Sequence, residues 1–526
     1  MVRSPFFTED HETFRQTVRQ FMQREVEPQL SRWEAEGRLP REIWQRMGVE
    51  GFLGIPYPEQ YGGSEADFFF SVVFLEELAR PGLGGFSAAV SVHIYMASMY
   101  LYKFASQALK QRYLVPAIQG EKIGALAITE PNAGSDVAAI QTRAVREGDV
   151  YLINGAKTFI TNGDSGDFIV LAAKTDPEAG AGGVSLFVVD RQAPGVSARS
   201  LKKLGWHCSD TAELSFQDVQ VPAEQRIGEE NQGFFYIMDC FQLERLVAAV
   251  LAVAGSERCL ELTLNYLHNR QAFGRPLARF QALRHRLADL ATELEAARQL
   301  TYHTCWLYQQ GLPAVKECSM AKLHTTELAV RVADQCLQCF GGYGYMEEYP
   351  IARMFRDARA GTIVGGTSEI MREIIARILI DGVEFVPRTG RDGKSGEEPA
   401  ETPPVEDQTA TQKAATCPET AAQAIAGLPD RFRTDRAGDY QTVIHFVLSG
   451  EGGGDFTVSI EKGRCLVSPG LHGQPRCVVK TKASTYLDIE LGRTSAQTAF
   501  LMGRVKVSNV GELMRFIKLF RPLKER

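Results

Sequence analysis

The sequence predicts a multidomain α+β protein, and three observations support that fold class. At 526 residues, the chain is longer than a single hydrophobic core usually supports. The spacing of its apolar residues changes from helical to alternating near residue 126, and returns to helical near residue 231. The segment 387–420 contains no aromatic residue and one large aliphatic residue, Val405, so we expect a disordered linker there.

Residues 1–125 are predicted to form a helical domain. Its first helix carries an apolar stripe at helical spacing, formed by Phe14, Val18, Phe21 and Met22. A later apolar segment contains His93, which we expect to be packed in the core rather than catalytic. Residues 126–230 alternate apolar and polar residues between glycine-containing turns, which predicts an antiparallel sheet domain.

Residues 231–386 are predicted to be helical again. One long helix carries a stripe formed by Leu283, Leu287, Leu290 and Leu294, and the last helix should run from about Thr367 to Ile380. The final part, 421–526, is predicted to be a separate small α+β domain. Its strands are expected within 442–448, 455–467 and 504–510, and its helices within 484–492 and 511–520.

The most unusual stretch is Phe234–Gly255, which is almost wholly apolar but carries Glu244 and Arg245 near its middle. On a helix, the neighbours of Glu244 include Cys240 and Val247, so its carboxylate should be buried and its pKa raised. Adjacent helical residues point in different directions, so Arg245 is not its natural partner. A raised pKa suits a general base near neutral pH; the alternative is a buried ion pair with an arginine from elsewhere.

Composition limits the function classes. A net charge of −6 and a pI near 6.0 give no electrostatic reason to expect nucleic acid as a partner. No transmembrane segment is expected, because the longest uncharged apolar run, Leu246–Gly255, is too short. The start of the chain has no signal core, so we expect a cytoplasmic protein with reduced thiols. Cys336 and Cys339 are expected to be buried helix thiols, and no metal site is expected.

Five motifs follow one another along the first 385 residues: ITEPNAGSD at 128–136, NGAKTFITNG at 154–163, RQAFG at 270–274, QCFGGYGY at 338–345 and GGTSEI at 365–370. The first is a loop whose backbone N–H groups and hydroxyls could bind a carbonyl-rich ring or a phosphate. In this order and spacing, the motifs resemble those of the acyl-CoA dehydrogenase family.

The resemblance implies an N-terminal helical domain, a middle β-barrel-like domain and a C-terminal four-helix bundle. It implies FAD as cofactor, abstraction of the α proton of an acyl-CoA thioester, and hydride transfer from the β carbon to flavin N5. It also implies a homodimer or homotetramer that passes electrons to an electron-transfer flavoprotein. The substrate would be a long-chain, bulky or branched fatty acyl-CoA.

The resemblance also assigns site residues. The implied FAD contacts are Thr129, Ser135, Phe159, Thr161, Arg270, Phe273, Gln281, Gln338, Gly342, Thr367 and Glu369, several of them across a subunit interface. The implied substrate contacts are Ser135, Gln242, Arg245 and Arg377. Phe159 takes the place of a usual tryptophan, which keeps an aromatic face, and Ala272 replaces a common hydroxyl residue.

Gly365 is the informative departure from the family pattern. Many members have a glutamate at this position as the base, and a glycine cannot take a proton. The long-chain and isovaleryl-type branches instead place the base on the earlier helix, within a segment that Leu243–Leu246 matches, which makes Glu244 the expected base. The backbone N–H of Gly365 would still polarise the thioester carbonyl.

The segments 455–467 and 499–510 resemble a sterol carrier protein 2 domain, which implies an apolar tunnel for acyl chains, acyl-CoA or sterols. The alternative for this domain is a spacer or an oligomerisation module. Two alternatives also remain for the whole protein. One is an acyl-CoA oxidase on the same fold, and the other is a lipid-binding protein whose dehydrogenase region is inactive.

Overall fold

The computed structural model describes residues 4–383, 418, 420–437, 440–491, 505–517 and 519–521. The chain divides into two compact units, residues 1–394 and 395–526, which we treat separately. Apart from Pro418 and Thr420, the linker predicted at 387–420 lies outside the described residues. Within the described ranges, no helix combines the length and apolar character that crossing a bilayer requires.

The first unit begins with helices. They are α1 (Glu9–Phe21), α2 (Leu30–Glu36), α3 (Arg41–Val49), α4 (Phe68–Ala79), α5 (Gly84–Ser91), α6 (Ser98–Phe104), α7 (Gln107–Leu109) and α8 (Val115–Ile118). A capping box between Thr8 and His11 starts α1, which buries Val18 and Phe21 of the predicted stripe. His93 is a core residue as predicted, and burial lowers its pKa to about 4.

A sheet domain follows. Its strands are β1 (Gly124–Ala127), β2 (Arg143–Glu147), β3 (Val150–Thr161), β4 (Phe168–Lys174), β5 (Val184–Asp190), β6 (Val196–Ser200), β7 (Thr211–Pro222) and β8 (Arg226–Ile227). They pair in the order β6-β7-β3-β2-β4-β5-β8, and β1 joins β4. The prediction of a purely antiparallel sheet is wrong, because β4 pairs in parallel with β1 and β2. Alternation reports which face of a strand is buried, and it carries no information on strand direction.

Strand β4 joins the sheet to the helices because both of its faces are buried. Phe168, Val170 and Ala172 belong to the large core shared with the N-terminal helices. Ile169 and Leu171 belong to a second core on the other face of the sheet. This two-sided burial explains why the strand reads as a continuous apolar run.

The rest of the first unit is helical. Its elements are α9 (Gly233–Asn269), the hairpin of β9 (Gln271–Ala272) and β10 (Arg275–Pro276), α10 (Gln281–Gln309), α11 (Val315–Phe340), α12 (Pro350–Ala358) and α13 (Ser368–Leu379). Helix α11 packs against α9, α10 and α13, which gives the expected bundle. The stripe of α10 buries Leu287, Leu290 and Leu294 in its core. Cys336 and Cys339 are buried thiols on α11, as predicted.

The second unit is a small α+β domain. Its elements are α14 (Ala421–Ala426), α15 (Leu428–Arg431), α16 (Thr434–Ala437), β11 (Thr442–Ser449), β12 (Gly454–Glu461), β13 (Arg464–Pro469), β14 (Cys477–Lys482), α17 (Ala483–Glu490), β15 (Val505–Val507) and α18 (Val510–Ile517). The sheet order is β13-β12-β11-β14-β15. Its core includes Ile444, Phe446, Val458 and Ile460. The sequence reading missed β14 and the three short helices before β11.

Candidate active site

Glu244 lies in the first half of α9 and is only 6 % exposed. The Tyr100 hydroxyl on α6 donates a hydrogen bond to Glu244 Oε1 at 3.1 Å. Burial raises the pKa of Glu244 to about 7, and the Tyr100 hydrogen bond and the Arg245 charge oppose that rise more weakly. No ion pair to this carboxylate forms among the described residues. Glu244 is therefore not part of a buried ion pair with a described arginine of the first unit, which was the alternative to a general base.

Arg245 is also buried, and it forms no ion pair among the described residues. It is 7 % exposed, and its Nε has no hydrogen-bond acceptor in the described part of the chain. Its guanidinium lies 5.6 Å from the centre of the Phe241 ring. Burial lowers the pKa of Arg245, while Cys318 and Glu244 act in the opposite direction. Burying an unpaired cation is costly, so this donor is suited to a ligand that supplies an acceptor.

Gly365 lies in an exposed loop between α12 and α13, and its N–H donates to no other described residue. Gly365 and Gly366 have φ angles of +64° and +91°, a region that favours glycine. A Cβ on Gly365 would meet nothing within 4 Å, whereas one on Gly366 would approach Met371 Cε to 2.7 Å. Thr367 caps α13 by accepting a hydrogen bond from the Ile370 N–H. The loop is thus fixed at its C-terminal end and presents a free donor.

A buried ion pair joins the motifs at 128–136 and 154–163. Lys157 is fully buried and donates to Glu130 Oε1 at 2.8 Å and to the Ile128 carbonyl at 3.0 Å. Glu130 also accepts hydrogen bonds from two backbone N–H groups. Burial acts to raise the pKa of Glu130, but the charge and hydrogen bond of Lys157 prevail and lower it. This pair holds the two motifs in a fixed arrangement.

Three candidate flavin contacts lie close to that pair. Thr129 and Thr161 are half-buried, and neither hydroxyl makes a hydrogen bond to another described residue. Phe159 is 69 % exposed and has a φ of +62°, at a register shift where β3 bulges away from β7. A bulge redirects a side chain, and backbone strain at a bulky residue is typical of a functional position. Two free hydroxyl donors beside an exposed ring fit the edge and face of an isoalloxazine system. Ser135 lies exposed in the adjacent loop.

A second group of candidate FAD contacts lies at the end of the bundle. Arg270, Gln338 and Gly342 line one open groove of about 610 Å³. The Arg270 guanidinium lies 5.4 Å from the centre of the Tyr343 ring, which also lines the groove. A cationic, glycine-bordered groove suits an anionic ligand such as a pyrophosphate.

The β9–β10 hairpin presents an aromatic side chain outward. Phe273 and Gly274 form its turn with φ angles of +53° and +74°, as a type I′ turn requires. Phe273 is 94 % exposed. Gln281 is exposed at the first residue of α10. Their contact with a partner subunit stays a prediction.

The remaining candidates take different positions. Glu369 lies exposed in the first turn of α13. Arg377 is exposed further along the same helix, and its Nε donates to Glu373 at 2.8 Å. Gln242 is buried on α9, but residues two apart on a helix do not share a face, so it does not point the same way as Glu244.

Sequence reasoning missed four residues of the site: Tyr100, Glu130, Lys157 and Lys322. Glu130 and Lys157 lie inside the recognised motifs, and this opposite pair of charges was a signal. Tyr100 gave none, because its contact with Glu244 depends on how α6 packs against α9. Lys322 is fully buried on α11 and donates to the Gly366 carbonyl at 2.5 Å.

Family profiles match almost the whole described chain. Residues 8–121, 125–219 and 231–380 match the N-terminal, middle and C-terminal domains of acyl-CoA dehydrogenase, in that order. Residues 423–521 match the SCP-2 sterol transfer family.

Individual relatives agree with these profiles. The mitochondrial long-chain specific acyl-CoA dehydrogenase of Sus scrofa is 41% identical over 377 residues, which cover 71% of this chain and 87% of the relative. The mitochondrial isovaleryl-CoA dehydrogenase of Pongo abelii is 38% identical over 375 residues, with 70% and 88% covered.

Solved structures share the fold of the first unit. The acyl-CoA dehydrogenase from Geobacillus kaustophilus is 44% identical with a TM-score of 0.70, over 72% of this chain and 100% of that one. A chain from a structure described as the electron transferring flavoprotein of Acidaminococcus fermentans is 36% identical with a TM-score of 0.70, over 72% and 100%. The chain belongs to the acyl-CoA dehydrogenase family of FAD-dependent oxidoreductases, and it carries a C-terminal SCP-2 sterol transfer domain.

Proposed function

We propose that this dehydrogenase introduces an α,β double bond into a fatty acyl-CoA thioester, with Glu244 as the base that takes the α proton. The observation that carries this proposal is a buried carboxylate that forms no ion pair among the described residues and has a pKa of about 7. Such a group is half deprotonated near neutral pH, which suits a general base. Tyr100 donates to Oε1, and no described residue donates a hydrogen bond to Oε2, so Oε2 is available to receive the proton.

The reaction breaks two C–H bonds of the substrate. Glu244 takes the α proton, and the electron pair of that bond forms the double bond as a hydride leaves the β carbon. FAD, when bound, accepts this hydride. Negative charge grows on the thioester oxygen during the reaction, and the free N–H of Gly365 is suited to bind it. Glycine at this position therefore removes a base but keeps a donor.

FAD binding is proposed to involve both groups of candidates. Thr129 and Thr161 would donate hydrogen bonds to the flavin ring, Phe159 would cover its face, and Ser135 would lie between flavin and substrate. In a homodimer or homotetramer, the remaining contacts would come from Arg270, Phe273, Gln281, Gln338, Gly342, Thr367 and Glu369. The groove that Arg270, Gln338 and Gly342 share supports a phosphate-binding role for these residues.

The substrate is proposed to be a long-chain, bulky or branched acyl-CoA. Relatives named for long-chain and for isovaleryl substrates fall within this range, and one named for short-chain substrates, 40% identical over 370 residues, falls outside it. Arg245 offers an unpaired donor to the CoA thioester, and Ser135, Gln242 and Arg377 are proposed as further contacts.

The second unit is proposed to bind a lipid or acyl chain, in line with its SCP-2 match. A tether raises the effective concentration of a bound acyl-CoA near the first unit, which would favour turnover of dilute substrate. Separately expressed units that turn over dilute acyl-CoA as fast as the intact chain would contradict this role.

An electron-transfer flavoprotein is proposed as electron acceptor and the cytoplasm as location.

Anaerobic titration of the FAD-loaded protein tests the proposed activity. Acyl-CoAs of increasing length and branching are added while flavin absorbance is followed. At least one long-chain or branched acyl-CoA should bleach the flavin with one equivalent per site. Flavin that no acyl-CoA bleaches would contradict the proposal.

A parallel assay compares oxygen consumption with electron transfer to an added electron-transfer flavoprotein, and faster oxygen reduction would contradict the proposed acceptor.

A further inference from the structure

A buried lysine lies behind the loop that carries Gly365. Lys322 is on α11, is fully buried, and its Nζ donates to the Gly366 carbonyl at 2.5 Å. Among the described residues, this is the only hydrogen bond of its ammonium group, and no carboxylate forms an ion pair with it. The lysine therefore connects a rigid helix of the bundle to one carbonyl of the loop.

Stability alone does not explain a lysine at this position. Burial lowers the pKa of Lys322 to about 8, and the like charge of Arg245 on α9 adds to that effect. Glu327 on α11 and Glu369 on α13 act in the opposite direction. The free-energy cost of burying an ammonium group that gains one hydrogen bond to a carbonyl is higher than that of burying an apolar side chain of similar length. A functional reason for the charge is therefore needed.

The bonded carbonyl belongs to the part of the loop that has most freedom. Gly365 and Gly366 are consecutive glycines with positive φ, and neither has a side chain that anchors it. The cap at Thr367 fixes the next residue, but it leaves the peptides before it free to rotate. The hydrogen bond from Lys322 limits the rotation of these peptides, because it fixes the carbonyl of Gly366, the residue that follows Gly365.

We infer that Lys322 is a positioning residue, which holds the Gly366 carbonyl so that the Gly365 N–H points at the thioester oxygen. The inference rests on the proposed role of Gly365 in the dehydrogenation. Lys322 also places a buried positive charge against this loop, which favours negative charge on the substrate oxygen. Lys322 acts through the loop and does not itself touch the reacting atoms.

The test is Lys322→Met, which keeps the length of the side chain and removes its donor and charge. The rate constant of anaerobic flavin reduction should fall about tenfold to hundredfold. This loss is no larger than the rate loss expected when an oxyanion donor is removed completely. The Kd for acyl-CoA should change by less than about threefold, since the lost interaction is made in the transition state. The melting temperature should stay unchanged or rise, because an unpaired buried charge is gone.

Lys322→Arg should keep most of the wild-type rate of flavin reduction that Lys322→Met loses, because arginine is also a charged donor. It should also keep that rate above pH 8, where Lys322 loses its proton and arginine does not. These readouts remain available if Lys322→Met does not fold. A Lys322→Arg rate that declines above pH 8 in parallel with wild type would overturn the inference.

Lys157→Met is the matched control, because Lys157 is equally buried but is paired with Glu130. It should lower the melting temperature and the FAD content. If Lys322→Met gives that same result, Lys322 has a structural role and the inference is wrong. A Lys322→Met rate within threefold of wild type would also refute it. Glu244→Gln separates this inference from the proposed function: an inactive Glu244→Gln beside a fully active Lys322→Met contradicts the role of Lys322 alone.

Discussion

Glu130 and Glu244 are buried to the same extent, since each is 6 % exposed, but their environments differ. Glu130, in the sheet domain, accepts hydrogen bonds from Lys157 and from two backbone N–H groups. Glu244, in the helical bundle, accepts one from Tyr100 and forms no ion pair among the described residues. The pKa of Glu130 is lowered, whereas that of Glu244 is raised to about 7.

The difference teaches that burial acts to raise the pKa of both carboxylates, and that the partners of Glu130 reverse this rise. With a lysine and backbone donors around it, Glu130 stays ionised and holds the two motifs together. With one hydroxyl donor, Glu244 is left able to gain and lose a proton near neutral pH. Family motifs contain both residues, so only their surroundings separate a structural carboxylate from a proposed catalytic one.

The largest stability effect is expected for Glu130→Gln. It leaves Lys157 buried without its counter-charge, so the free energy of unfolding should fall by about 3–5 kcal/mol. Urea unfolding at pH 7.5 measures this loss. Glu213→Gln, which removes a more exposed pair with Arg199, is the control and should change stability by about 0.5 kcal/mol or less. Equal effects of the two substitutions would remove the distinction between buried and exposed pairs.

Glu244 should make the free energy of unfolding fall as the pH rises. The folded state keeps its proton up to about pH 7, while the unfolded chain releases it near pH 4.5. The folded state thus binds more protons in this window, and stability falls as pH rises. Relative to Glu244→Gln, wild type should lose about 3 kcal/mol between pH 4.5 and 7, and little more above pH 7. A stability difference that does not change with pH in urea unfolding would contradict the raised pKa.

Tyr100→Phe should bring a smaller change, because it removes the one hydrogen-bond donor to the Glu244 carboxylate among the described residues. That hydrogen bond lowers the pKa of Glu244, so its loss should raise the pKa further. The acid limb of flavin reduction against pH should move upward by about one unit, which corresponds to about 1.4 kcal/mol. Stopped-flow reduction between pH 5.5 and 9 measures the shift. An acid limb that stays in place would mean that Glu244 does not control the rate.

An equally small effect is expected for moving the base to Gly365. The space beside Gly365 is empty within 4 Å of an added Cβ, so the first side-chain carbon of a substituted residue meets no neighbour there. Its φ of +64° strains any side-chain residue, at about 1–3 kcal/mol. Glu244→Gly with Gly365→Glu should therefore recover only about tenfold in flavin reduction over Glu244→Gly alone, or about 1.4 kcal/mol. No recovery in a protein that keeps its FAD would contradict the proposed exchange of base positions.

The sequence predicted the order of helical and sheet regions, because the period of apolar residues changes with the secondary structure. It could not predict that β4 pairs in parallel with β1, since strand direction depends on the path of the chain. It also missed β14, whose two lysines and one threonine interrupt the apolar pattern. The exact domain boundaries stay predictions.

The candidate site was predictable where chemistry lies within one segment. The apolar neighbours of Glu244 on α9 were enough to expect its burial and raised pKa, and both are present, whereas Asp239 in the same run is partly exposed and pairs with Lys103. The hydrogen bond from Tyr100 and the bond from Lys322 to the Gly366 carbonyl join distant segments, so no local pattern reveals them. The roles of the FAD and CoA contacts stay predictions for the same reason.

Flavin reduction in Glu244→Gln tests the central claim most directly. Glutamine keeps an acceptor for Tyr100 and the shape of the side chain, so FAD and acyl-CoA should bind as in wild type. Without the base, the rate constant of anaerobic reduction by a bleaching acyl-CoA should fall by about a thousandfold or more. Retained binding with this loss is the predicted result. Reduction within about tenfold of the wild-type rate would mean that the base is another residue.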